Sequence, residues 1–280
     1  MKSNPNRNPF IILVFLALFL AACAEKAPLN DPSQLQIIGS TSILPLADKL
    51  ADAYMESNSQ TLIQVQGGGT SVGISSTGEG IVEMGSASRE VLSGEQQKFP
   101  DLKRFTIAYD GIAIITHPDT KLSSLSLEQI RAIFSGEITN YSQVGGEDVE
   151  IVLVAREEGS GTRAMFENLV MSQNGQISPI HSSAILQTSN GAVRTTVAET
   201  PHAISFLSMA YLDESVSVVP VEGVLPGMET LRDNTYPLIR PLYLLTRGEP
   251  QGLSRDLLDF ILSTEGQEIV RQQGYLPAKP

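Results

Sequence analysis

Arg156-Glu157-Glu158-Gly159-Ser160-Gly161-Thr162-Arg163 lies between an apolar strand-like run, Glu150–Ala155, and a helix-like one, Ala164–Met171. Glycine lets the backbone approach a partner closely, the hydroxyls donate, and an Arg at the end of a strand can grip an oxyanion with its planar fork. The plainer alternative for Arg156 is a surface ion pair with Glu157 or Glu158. Three further stretches share this hydroxyl-and-glycine composition: Gly39-Ser40-Thr41-Ser42, Gly67-Gly68-Gly69-Thr70-Ser71 and Gly85-Ser86-Ala87-Ser88. At least three of the four follow an expected strand and precede an expected helix. In open α/β sheets such turns lie at the carboxyl ends of strands, where ligands bind. Any one cluster could be only a helix cap, because Ser and Thr are favoured there. Four on one chain point to a shared oxyanion cradle.

Outward from these clusters, strand-like and helix-like runs alternate. Leu35–Ile38 and Thr61–Val65 are rich in strand-forming residues. Between them Leu46, Leu50 and Tyr54 recur at helical spacing with Ala47 and Ala51 beside them. Ser126-Leu127-Glu128-Gln129 is a capping box, with Ile130, Ile133 and Phe134 as the apolar face behind it and Gly136 as the stop. Ala203–Leu207 and Val216–Val221 read as strands. Pro237–Thr246 reads as another, placed at an edge or crossover by Pro241. Leu253–Leu262 is a helix, and Thr264-Glu265-Gly266-Gln267 reads as a second capping box. This alternation predicts parallel sheets covered by helices.

The amino terminus is not expected to belong to the fold. Lys2 and Arg7 precede the apolar run Phe10–Leu20, which is too short to span a bilayer but suits a signal-peptide core. It ends in Leu20-Ala21-Ala22-Cys23, the pattern of a lipoprotein processing box, and Cys23 is the only cysteine among 280 residues. The expectation is a signal peptide over residues 1–22, a lipidated Cys23, and a short Pro-containing tether over residues 23–34. Export places the protein where ATP and NAD are not available. A formal net charge of −12 argues against a nucleic-acid partner, which needs a basic face. One Cys and three scattered histidines (His117, His181, His202) supply no metal site. Gly159-x-Gly161-x-x-Ala164 is a loose dinucleotide fingerprint, but polar residues precede it and no acidic residue lies about 20 positions on. No Gly-Lys-Ser/Thr phosphate loop occurs.

The four clusters, in this order and spacing, resemble the phosphate-binding lipoproteins of bacterial phosphate ABC transporters. Further matching stretches are Ala108–Ala113, Gln129–Thr139, Ser189–Arg194, Pro241–Leu244, and Glu265–Gln267 followed by Gly274–Pro277. The resemblance implies a two-lobed α/β fold of the type II periplasmic-binding-protein class. Lobe 1 would span residues 35–108 and 236–280 and lobe 2 residues 109–235, with crossings near 106–111 and 235–241. It implies that inorganic phosphate sits in the cleft, held by Thr41, Ser42, Thr70 and Ser88 from one lobe and Arg156, Ser160, Gly161 and Thr162 from the other. It also implies a monomer, without cofactor or metal, anchored to the membrane through Cys23 and serving permease subunits. Part of the family has an acidic residue, accepting the ligand proton, where this chain has Ser88. Here Arg89 follows instead, and Asp110 and Glu158 are the candidate acceptors, each of which could equally be a structural carboxylate holding Arg156.

A solute-binding protein needs no nucleophile, metal or general base. A secreted phosphoester hydrolase would need clustered His and Asp ligands or a Ser or Thr beside a base, and the sequence groups no such residues. Sulfate or molybdate is the alternative ligand.

Overall fold

The computed structural model describes residues 33–278; the apolar run Phe10–Leu20, Cys23 and most of the tether lie outside the described residues. Strand β1 (Gln34–Gly39) alternates exposed and buried residues, with Leu35, Ile37 and Gly39 turned inward. Helix α1 (Leu44–Ser57) starts with a proline in its first turn and buries the expected stripe Leu46, Ala47, Leu50, Ala51 and Tyr54. β2 (Leu62–Gly67), α2 (Thr70–Gly78), β3 (Met84–Ala87) and α3 (Ser93–Lys98) follow. β1 runs parallel to both β2 and β3, and Gly39 pairs with Gly67 on one side and Ser86 on the other. This register brings three strand ends, and with them the first three clusters, side by side. Gly39 is obligatory there: a Cβ would lie 2.2 Å from the Ser86 carbonyl oxygen, at φ +148°.

β4 (Leu102–Thr116) is long enough to serve two halves of the molecule. After it come α4 (Leu127–Ser135), β5 (Val152–Arg156) and α5 (Gly161–Phe166), which continues into a π-helical turn, Glu167–Met171. A short hairpin of β6 (Ser172–Gln173) and β7 (Gln176–Ile177) precedes β8 (Ile185–Gln187) and α6 (Asn190–Glu199). β9 (Ala203–Ser208), β10 (Ser217–Val219) and α7 (Met228–Arg232) complete this half. β11 (Ile239–Arg247) leads back to the first half, which α8 (Leu253–Ile261), α9 (Thr264–Gln272) and β12 (Leu276–Pro277) close. The main sheet runs β2-β1-β3-β11-β4-β9-β5-β8, with β10 and β12 also paired to β4.

The sheet is mixed rather than parallel throughout. The chain leaves the first half along β4 and returns along β11, so these two strands must run antiparallel, and β11 is antiparallel to β3 as well. Pro241 sits where β11 pairs with β4 alone; β3 joins only from Tyr243 onward. Two large apolar clusters result. Leu35, Ile37, Leu46, Leu50, Met84, Leu244, Leu257 and Tyr275 belong to one. Ile112, Ile130, Phe134, Phe166, Phe206 and Tyr236 belong to the other, where Phe166 and Phe206 stack at 3.9 Å between ring centres. The fold is thus two-lobed α/β. Two helix starts differ from expectation. α5 begins at Gly161 rather than Ala164, because Ser160 Oγ accepts the Arg163 N–H. α9 is capped by Ser263, whose Oγ accepts the Gly266 N–H, which makes Thr264 its first residue rather than its cap.

Beside the second and third clusters, buried Arg89 is gripped by both carboxylate oxygens of Glu95 at 2.7 Å, and its Nη2 donates to Ser71 Oγ at 3.0 Å. Burial pushes the Glu95 carboxyl up, but hydrogen bonds from Arg89 and from the Leu92 N–H outweigh it and hold the group below the usual range. A depressed acid stabilises the fold above its unfolded value, ordinarily 4.5, and that stabilisation is lost as pH falls through the folded value. Glu95→Gln should therefore flatten the acid limb of stability against pH, by about 0.5–1 kcal/mol after discounting for partial exposure. Urea unfolding at pH 7 and pH 3.5 checks this; a parent and variant with parallel acid limbs would contradict it.

Candidate functional site

The four clusters meet. Ser40 continues β1, and its Oγ donates to Ser88 Oγ at 2.9 Å while accepting the Ser42 N–H at 3.2 Å. Thr70 Oγ1 accepts the Ser88 N–H at 3.1 Å and lies 3.4 Å from Ser88 Oγ. From the other half, the Gly159 carbonyl accepts the Ser71 N–H at 3.1 Å, and Thr162 Oγ1 lies 3.0 Å from Ser42 Oγ. Thr41, Ser42, Thr70, Ser88, Ser160, Gly161 and Thr162 are all buried. The halves approach so closely at Gly161 that a Cβ there would lie 2.3 Å from Thr70 Oγ1 and 2.4 Å from Ser88 Oγ.

Of the cluster hydroxyls, only Ser160 caps a helix. The starts of α1 and α2 have no side-chain cap, so Ser42 and Thr70 are not spent there. The second cluster also has the spacing Gly69-x-Ser71-x-Gly73, that of a nucleophile elbow. Ser71 Oγ, however, faces the Arg89 guanidinium, which cannot act as a base.

Arg156 is only 1% exposed, so it is no surface residue. Glu157 holds it through Nε and Nη2, both at 3.0 Å, and the Gln187 and Thr188 carbonyls accept from the same nitrogens. Neither Asp110 nor Glu158 plays that part. Glu158 is exposed. Asp110 is completely buried on β4 and pairs with Arg240 of β11, equally buried, through Oδ2 at 2.7 and 3.1 Å. Burial pushes the Asp110 carboxyl up, with Arg240 pulling the other way. Burial likewise lowers the Arg240 value against the pull of Asp110, and the positive charge of Arg156 adds to the lowering. Among the described residues, Asp110 Oδ1, Ser208 Oγ and Arg240 Nη1 are buried without a close hydrogen bond, although the Ser208 hydroxyl and the Met209 N–H lie near enough to Asp110 to pull its value down.

Four further residues belong to this seam and were not read as site residues from the sequence. Arg240 Nη2 donates to Ser42 Oγ at 2.8 Å, and Asn190 Nδ2 donates to Thr41 Oγ1 and Ser42 Oγ at 3.1 and 3.0 Å. Tyr211 donates to the Thr41 carbonyl at 2.6 Å and Tyr275 to the Ser42 carbonyl at 2.7 Å. Burial pushes the Tyr211 phenol up to about 12 and the Tyr275 phenol well above its ordinary value, so both remain donors. In composition the one signal was Arg240, a lone charge in the apolar run from Leu238 to Leu245. Asn190 and Tyr275 lie in the matching stretches Ser189–Arg194 and Gly274–Pro277, which gave neither a role, and nothing marked Tyr211. Among the described residues no three His, Cys, Asp or Glu are placed to share a metal ion. The arrangement can surround a small anion with hydroxyl, amide and guanidinium donors from both halves; it assembles no nucleophile with a base.

Comparison with known proteins shows the family. The PBP superfamily domain matches residues 26–265. The phosphate-binding protein PstS of Bacillus subtilis is 31% identical over 291 aligned residues, covering 97% of this chain and 94% of that protein. A crystallised substrate-binding protein assigned to a phosphate ABC transporter of Clostridium perfringens, with bound phosphate, is 36% identical. It superposes with a TM-score of 0.82 over 88% of this chain and all of that one. An ABC-type phosphate transport receptor from Vibrio cholerae is 32% identical with a TM-score of 0.71, over 86% of this chain and 99% of that one. In sequence and in fold, the chain belongs to the PBP superfamily and, within it, to the PstS family of phosphate-binding proteins.

Proposed function

We propose that this protein captures inorganic phosphate outside the cytoplasm and delivers it to the permease of an ABC transporter. The observation that carries the reading is the convergence of four hydroxyl clusters from two lobes on one buried seam that also holds Arg156. On this reading Thr41, Ser42, Thr70 and Ser88 hold the anion from one side, and Arg156, Ser160, Gly161 and Thr162 from the other. Residues 35–108 with 236–280, and residues 109–235, act as the two lobes. They close over the ligand by bending where β4 and β11 cross, near 106–111 and 235–241. Binding rather than catalysis is the activity. No helix among the described residues is long and apolar enough to cross a membrane. Attachment through a lipidated Cys23, with removal of residues 1–22, is part of the proposal, as are a monomeric state and action without cofactor or metal.

Phosphate at neutral pH still carries a proton and sulfate does not, so one acceptor with no donor facing it separates them. Between the two carboxylates considered, Glu158 is exposed, which leaves Asp110, whose Oδ1 is buried and makes no close hydrogen bond among the described residues. Asp110→Asn should narrow the preference for phosphate over sulfate, because an amide can turn its NH₂ toward either ion. It should also destabilise the fold by about 3–5 kcal/mol, since Arg240 is left as an uncompensated buried charge. Titration calorimetry with both anions on the folded variant checks the first effect. An unchanged preference would place the acceptor elsewhere.

Arg156→Ala should weaken phosphate binding by several kcal/mol, given about 1.5–3 kcal/mol for each hydrogen bond to a charged group. Arg156→Lys should weaken it too, because the planar fork is lost. Calorimetry showing parental affinity in the alanine variant would remove Arg156 from the site. Gly161→Ala should cost at least about 1.4 kcal/mol, a factor of ten in affinity, because its Cβ displaces Thr70 and Ser88. An alanine variant that binds phosphate as the parent does would show that the close approach at Gly161 is not used in binding.

A further inference from the structure

Asn190, the first residue of α6, is fully buried and uses every polar atom of its side chain. The Ser208 N–H, which can only donate, bonds one atom of the amide at 3.1 Å, and that atom must be Oδ1. The other atom is therefore the nitrogen, and its two hydrogens go across to Thr41 Oγ1 and Ser42 Oγ. A hydroxyl has two acceptor positions and one hydrogen. On Ser42, Asn190 and Arg240 Nη2 fill both acceptor positions. Its hydrogen is left to point at Thr162 Oγ1, 3.0 Å away. Thr162 then accepts from Ser42, and Thr41 accepts from Asn190. The hydrogens of Thr41 and Thr162 are both free to serve an acceptor.

We infer that Asn190 is a positioning residue that sets the donor direction of the Thr41, Ser42 and Thr162 hydroxyls, so that the seam presents hydrogens rather than lone pairs to a tetrahedral oxyanion. This rests on the anion-binding reading of the same site and adds its polarity. An aspartate at this position keeps the shape and reverses the order: an ionised carboxylate accepts from Thr41 and Ser42, and their lone pairs turn toward the anion.

The test is titration calorimetry of the full protein and of Asn190→Asp and Asn190→Ala with phosphate, sulfate and molybdate, at pH 7 and pH 5, each affinity expressed relative to the parent. Asp110, Arg240, Tyr211 and Tyr275 face the same cluster, and Asn190→Ala, which adds no charge, controls for their own titration. Asn190→Asp is expected to bind on the order of 100-fold more weakly at pH 7, as two donors become acceptors. It should recover part of that ratio at pH 5, because complete burial at this position favours the neutral carboxyl, which regains one donor. Asn190→Ala is expected to lose about tenfold at both pH values. The assignment is overturned if Asn190→Asp binds like the parent at pH 7. It is overturned equally if both variants weaken by one pH-independent factor, which is what a purely structural role would give. A parent that prefers sulfate or molybdate removes the phosphate assignment, and Asn190 is then judged on the preferred anion. A parent that binds none of the three overturns both.

Discussion

A polar seam buried between two apolar cores must satisfy its own hydrogen bonds, and this constraint organises the molecule. A buried donor or acceptor left unpaired costs about 1–3 kcal/mol, so the hydroxyls at the strand ends have to pair with one another or with the opposite half. That requirement links several features with no common local cause. β1, β2 and β3 end in register, which sets Ser40, Thr70 and Ser88 within reach of each other. Glycines stand at 39 and 161, where any side chain would strike a neighbour in the seam. Tyr211 and Tyr275 reach in to hold the carbonyls of Thr41 and Ser42.

Charge in the seam follows the same rule. Arg156 and Arg240 are each matched by a carboxylate, Glu157 and Asp110, so neither guanidinium is buried uncompensated. Each pair is nearly neutral in sum, but its donors are directional, and Arg240 passes its polarity to Ser42 through one hydrogen bond. The whole chain carries a formal −12. Long-range attraction cannot draw an anion to it. Recognition must come from short-range donors in a site shielded from water, where such contacts are stronger than at the surface. Three buried polar atoms, on Asp110, Ser208 and Arg240, lack a close hydrogen bond among the described residues and mark where that satisfaction is incomplete.

Much of this was legible in the sequence, for identifiable reasons. The clusters are local, and glycine with hydroxyls after an apolar run, recurring four times on one chain, exceeds what helix capping requires. The stripe of α1 and the capping box of α4 follow from spacing alone. What escaped depends on chain course rather than on local pattern. Whether Glu157 or Glu158 meets Arg156 is decided by one residue of backbone direction beyond β5. The antiparallel pairing of β4 and β11 joins strands more than a hundred positions apart. Asn190 and Arg240 reach Ser42 from 148 and 198 residues away, and only the folded sheet brings them there. The shift of a cap from Thr264 to Ser263 shows the same limit at small scale, since Thr264 has the capping-box spacing to Gln267 while the adjacent Ser263 is the hydroxyl that reaches the Gly266 N–H.

The central claim is that one anion is held simultaneously by both halves of the seam, and a crystal structure of the protein grown with phosphate tests it most directly. The account predicts phosphate within hydrogen-bond distance of hydroxyls from the β1–β3 strand ends and of Arg156 and Thr162 from the β5 turn. Phosphate bound to one half alone, or away from Arg156, would contradict it.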